Sequence, residues 1–117
     1  TNDTNDIFIS ENFAGPVSGI QTMYGSTSST ALVDCAIDDA NRAAVIWTDA
    51  SHILRIHEYD GGWSPSLGAL GTQISIGTVT FPSIVMNNNS DPLKPSRMIV
   101  WIESNGSTNQ VFVAEYR

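Results

Sequence analysis

One internal repeat constrains this chain more than any other feature. Placing Trp47 on Trp101 lays Ala44-Val45-Ile46-Trp47-Thr48-Asp49 on Met98-Ile99-Val100-Trp101-Ile102-Glu103. An acid follows the Trp by two positions in both copies. Downstream, Leu54-Arg55-Ile56-His57-Glu58-Tyr59 lies on Val111-Phe112-Val113-Ala114-Glu115-Tyr116, and Glu-Tyr ends both. Upstream, Val33-Asp34-Cys35-Ala36-Ile37 lies on Phe81-Pro82-Ser83-Ile84-Val85. Two insertions fit the second copy to the first, at 87–95 and 105–107. Both fall in polar turn sequence, where added length costs least. A repeat of this period marks a unit that buries its apolar faces on its neighbours.

Within each copy the pattern is β. Apolar residues alternate or run for a few positions between Gly, Asn, Asp, Ser and Pro clusters, and no stretch carries helical spacing over three turns. The first copy reads as strand A at 32–38, strand B at 42–49, strand C at 53–59 and strand D at 63–70. The second reads as A, B and C within 81–117. Residues 1–12 form a polar N-terminal segment whose first six residues are expected to be loose. Phe13-Ala14-Gly15-Pro16-Val17-Ser18-Gly19 is similar to Trp63-Ser64-Pro65-Ser66-Leu67-Gly68. A closing strand is therefore expected at 13–20, followed by a linker. The count is then one strand, plus four, plus three: two four-stranded units cut between C and D.

Composition narrows the function classes. The chain has 117 residues, with Lys and Arg totalling 5 against 12 Asp and Glu, a net charge of −7. An acidic chain without a basic cluster is a poor partner for nucleic acid. The longest apolar runs, at 43–47 and 98–102, are far shorter than a membrane span. The single Cys35 excludes an internal disulfide and a cysteine-built metal site. The chain begins at Thr1, as a processed or trimmed product would. Asn2-Asp3-Thr4, Asn88-Asn89-Ser90 and Asn105-Gly106-Ser107 fit the glycosylation pattern, which matters only in a secretory eukaryotic context; the location is left open, with a secreted or cell-surface one favoured.

The stretch from Ala36 to Asp49, with Phe81-Pro82-Ser83-Ile84-Val85-Met86 and Met98-Ile99-Val100-Trp101, resembles blades of the sialidase-like β-propellers. Tyr59-Asp60-Gly61-Gly62-Trp63-Ser64 looks like a compressed Asp-box turn between strands C and D. The resemblance spans residues 13–117. It implies an all-β fold of two four-stranded antiparallel propeller blades, circularly offset. Propeller rings hold four to eight blades, so two need more. The implied partner is another copy of the chain, completing blades and strands in a homo-oligomeric ring, for example of six blades. The other option is a larger propeller of which the chain is a part. A weaker similarity is to the two-blade fucose-binding propeller lectins, whose strand C and turn resemble Glu58-Tyr59-Asp60-Gly61-Gly62-Trp63. Those lectins place an Arg early in strand B and a Glu on strand C. Arg97 matches the Arg in the second copy, whereas Ala43 stands there in the first.

Candidate ligand-binding residues are Trp47, Trp63, Trp101, Arg97, Glu58, Glu115, Tyr59 and Tyr116. Aromatic faces stack on sugars, and polar groups between blades would orient them. The alternative is that Trp47 and Trp101 pack between blades and Trp63 begins strand D. No catalytic residue is assigned. The sialidase family's arginine clamp is missing, since Arg42, Arg55, Arg97 and Arg117 lack its motif context. Asp49 and Glu103 could act as paired acids, but their repetition reads as turn chemistry. Asp34, Asp38 and Asp39 lack calcium-loop spacing. His52 and His57 fall on opposite strand faces and share no metal. Cys35 reads as a small buried residue matching Ser83. No cofactor and no metal are expected. The function expected is a non-enzymatic, self-assembling structural or protein-interaction unit. The alternatives are a carbohydrate-binding propeller and a degenerate glycosidase-like fragment.

Overall fold

A computed structural model describes residues 5–9, 21–28, 30–88, 91 and 93–116. Among them there is no helix, and none is therefore long and apolar enough to cross a membrane. Ten strands among the described residues form three antiparallel sheets. Strands β1 (Asn5–Ile9) and β2 (Gln21–Thr27) pair as a two-stranded sheet. The second sheet holds β3 (Val33–Ile37), β4 (Ala43–Thr48) and β5 (Leu54–Tyr59), with β6 (Trp63–Ser64) and β7 (Thr72–Gln73) both paired to β5. The third holds β8 (Thr78–Met86), β9 (Arg97–Ser104) and β10 (Asn109–Tyr116) in the order β10-β9-β8.

The repeat carries the pairing register with it. In the second sheet Trp47 stands opposite Arg55 and Ala43 opposite Tyr59. In the third sheet Trp101 stands opposite Phe112 and Arg97 opposite Tyr116. These are the pairs that the sequence superposition sends onto one another, without slip. The first strand of each copy departs by one residue. Cys35 stands opposite Val45, but Ile84, and not Ser83, stands opposite Ile99. A bulge between Thr80 and Ser83 takes up the extra residue. It contains Phe81 at φ 52°, followed by Pro82, which has no N–H for a ladder. The expected match of Cys35 with Ser83 is therefore corrected to Ile84.

Aspartates close both turns of the first copy. Asp38 accepts the amides of Ala40 and Arg42 at 2.9 and 3.0 Å and the Arg42 Nε at 2.7 Å. Burial alone would raise its pKa, but these hydrogen bonds and the Arg42 charge outweigh that and hold it below the ordinary carboxylate value. Asp49 accepts the amides of Ser51 and Ile53 at 2.8 and 3.0 Å, and its other oxygen takes the Arg55 Nε at 2.9 Å.

The sheets stack in layers through two cores. Strand β4 is apolar on both faces, and all six of its positions are buried. Its Ala44 and Ile46, with Leu54 and Ile56 of β5, pack on Val79, Ile84, Ile99 and Trp101 of the third sheet. Its opposite face, Val45 and Trp47, packs on Ile7 and Met23 of the β1–β2 hairpin. Each fully buried aliphatic side chain contributes about 1.5–3 kcal/mol. Polar links fasten the same layers. Asp34 accepts the Ile84 amide at 2.9 Å, and Asn88 exchanges two 2.7 Å hydrogen bonds with Asp39.

Several expectations are corrected. Asn5 and Asp6, expected to be loose, belong to the paired strand Asn5–Ile9, whose Ile7 enters the core. Gln21–Thr27 is a strand where a linker was expected, because Met23 fills the space over Trp47. The closing strand expected at 13–20 lies outside the described residues. Strand D at 63–70 is interrupted. Trp63 and Ser64 pair with β5, residues 65–71 leave the sheet, and Thr72 and Gln73 return to it. Pro65 cannot donate to the ladder, and Gly68 at φ 92° with Ala69 turning back on Ser66 carries the excursion. Cys35 is exposed, since the hairpin covers β4 and leaves β3 open.

Candidate functional site

The second and third sheets bring three of the candidate residues together at one edge of their interface. The acid of β5 and the cation of β9 come from positions that the repeat makes unequal: Arg97 occupies the site that Ala43 holds in the first copy. Arg97 Nη2 lies 2.6 Å from Glu58 Oε2, with side chains 19% and 35% exposed. The guanidinium also sits over the Tyr116 ring, 5.1 Å from its centroid, a favourable cation–π placement. The Arg97 Nε is buried with no hydrogen-bond partner among the described residues. Burial pushes the Tyr116 hydroxyl pKa up, the Glu58 charge adds to that, and Arg97 opposes it. Glu115, the repeat partner of Glu58, lies instead on the exposed outer face of β10.

The tryptophans divide by environment. Trp47 is fully buried, 4.9 Å from the Tyr24 ring and 5.8 Å from the His57 ring, stacked on both. Trp101 is buried against the second sheet, stacks on Phe112 at 5.8 Å, and donates its indole N–H to Glu103 Oε1 at 2.9 Å. Neither offers a ring face to a ligand. Trp63 is half-buried and meets the half-buried Tyr59 edge-on, with centroids 5.4 Å apart. This pair stands on the opposite face of β5 from Glu58, so it does not join the Arg97 cluster.

The remaining acids hold backbone. Glu103 Oε2 accepts the Gly77 amide at 2.9 Å, and Asp49 caps its turn as described. Neither pairs with the other as an acid–base couple would. Among the described residues no group of three or more His, Cys, Asp or Glu side chains could hold a metal.

His57 was not singled out as a structural residue by the sequence, yet it ties β4 and β5 to the 65–71 excursion. It is fully buried. Its Nδ1 accepts the Trp47 indole N–H at 3.0 Å, which places the ring proton on Nε2, and Nε2 donates to the Ala69 carbonyl at 3.0 Å. Burial holds its pKa below the ordinary 6.5, and the backbone of Ala69 and Ser66 offsets part of that. The alternation Arg55, His57, Tyr59 on the Trp47 side of β5 was the available signal.

A pH dependence follows with a definite sign. The unfolded chain takes up the His57 proton more readily than the folded one, so stability is complete above the ordinary value and falls as pH drops through it. Thermal melts at pH 7.5 and pH 5.5 should therefore show a loss at the lower pH. The His57→Gln variant should lack that part of the loss; an identical pH slope in both proteins would contradict the assignment.

A scan against protein-family models finds no match, and no curated protein and no solved structure matches the chain. The fold is all-β and antiparallel, with three layered sheets among the described residues.

Proposed function

We propose that the chain is a non-enzymatic β-propeller-type unit that works as a self-assembling structural or protein-interaction module. In this reading β3, β4 and β5 with the interrupted β6 and β7 make one four-stranded blade. Strands β8, β9 and β10 are A, B and C of the next, and the β1–β2 hairpin belongs to the one before. The observation that carries the reading is a face. Leu54 and Ile56 are 0% and 3% exposed beneath the third sheet, whereas their repeat partners Val111 and Val113 are 69% and 54% exposed. Val85, on β8 across β9 from them, is also exposed. An apolar sheet face of this kind is covered in a stacked repeat. A ring closed by several copies is one form that the covering takes. Static light scattering across a concentration series tests it. A mass above 12.6 kDa that grows with concentration is expected; a single-chain mass at every concentration overturns self-assembly.

A second reading is favoured by the convergence of Arg97, Glu58 and Tyr116 from two sheets. A cation, a carboxylate and an aromatic ring are the groups that recognise sugar hydroxyls in a shallow site. In this reading the chain is a carbohydrate-binding propeller. A glycan array decides: reproducible binding to one sugar class, lost in Arg97→Ala and kept in Trp63→Ala, supports it. The glycosidase-like reading has less support, since Asp49 and Glu103 are engaged with backbone amides.

A further inference from the structure

Strand β5 and strand β10 occupy the same place in the repeat but differ at their outer edges. The edge of β5 away from β4 is covered by β6 and β7, through Tyr59 with Trp63 and Arg55 with Gln73. The edge of β10 away from β9 has no strand beside it among the described residues. Strand β10 is eight residues long and pairs with β9 without a register shift. It contains no Pro, no Lys or Arg, and no bulge, which are the usual devices that keep an edge strand unpaired. Its one charged residue is Glu115.

We propose that β10 pairs antiparallel with β10 of a second copy of this chain, about a two-fold axis normal to the sheet. The proposal rests on the self-assembly reading above and adds to its face contact a contact along the sheet edge. Such an axis keeps each sheet face on its own side, so a residue stands opposite one that shares its face. Two central registers satisfy this. Centring on Val113 sets Val111 opposite Glu115 of the second copy, an apolar–charged mismatch. Centring on Phe112 sets Val111 opposite Val113 of the second copy, twice, and Asn109 opposite Glu115 of the second copy, twice. The second register keeps aliphatic pairs together and puts no like charges opposite each other. It joins the two outer faces into one strip of exposed valines, and the contact is isologous.

Hydrogen exchange and the dimer dissociation constant test this together. The amides of β10 that point away from β9 should gain protection as concentration rises. Asn109→Lys places a cation opposite Glu115 at both symmetric positions and should tighten the dimer roughly two- to thirty-fold. Asn109→Glu should weaken it by a similar factor. Asn109 is exposed, so both variants should keep the fold. Association with unprotected β10 amides and no response to either variant overturns edge pairing and leaves self-assembly standing. Protection of β10 without any response at Asn109 means that another segment or register covers the edge, and also overturns it. A single-chain mass throughout removes both.

Discussion

Trp47→Ala should cost the fold about 4–8 kcal/mol, a large share of its stability. Trp47 is fully buried between the hairpin and the second sheet, and truncating a buried Trp costs about 3–5 kcal/mol. The change also strips His57 Nδ1 of its donor in a fully buried position. Leaving a buried polar atom unpaired costs a further ~1–3 kcal/mol. Domains of this size hold only about 5–15 kcal/mol in total. Trp47→Phe weighs the two contributions against each other, because it keeps a ring and much of the apolar volume while removing the indole N–H. Urea melts should place Trp47→Phe between the parent and Trp47→Ala. A loss below about 1 kcal/mol for Trp47→Ala would contradict the core described for the hairpin layer.

Equivalent positions in the two copies should respond in opposite ways to a charge. Ile56→Asp buries a carboxylate between the second and third sheets, where Ile56 is 3% exposed. An unpaired buried charge costs several kcal/mol, and the fold should not survive it. Val113→Asp places the same group at the matching position of the third sheet, which is 54% exposed. Its effect on single-chain stability should stay within about 1 kcal/mol, as surface changes do. Circular dichroism with thermal melts of both variants measures the contrast. Similar losses in the two would mean that the outer face of the third sheet is not the open counterpart of the buried one.

The part of the fold legible in the sequence was the part written twice. Strands β4 and β9 carry the same apolar run ending in Trp, polar residue and acid, and β5 and β10 end in the same Glu-Tyr. Period-two alternation ties register to face, so superposing the sequences also superposed the pairing. The first strands slipped by one because a bulge leaves no trace in a residue count; only Pro82 hinted at it. The hairpin was missed for a different reason. Its β1 and β2 are separated by the eleven positions between Ile9 and Gln21, and neither alternates strongly enough to show its partner.

The site was less legible than the fold. Arg97, Glu58 and Tyr116 meet only because the third sheet lies on one face of the second, and sequence does not say which faces touch. The same layering explains why Trp47 and Trp101 are core and why Cys35 is not. Trp47 has the hairpin over it, Trp101 has the second sheet, and β3 extends past the hairpin's cover. His57 escaped notice because its role depends on the 65–71 excursion returning Ala69 to the face that carries Trp47.

The outer face of the third sheet is the centre of this account, and one comparison tests it most directly. Light scattering of the parent chain and of a Val111→Asp/Val113→Asp variant should be run at matched concentration and ionic strength. Both side chains are exposed, so the variant should remain folded. The parent should exceed the mass of one chain while the variant falls to 12.6 kDa. Equal masses for the two folded proteins would contradict it.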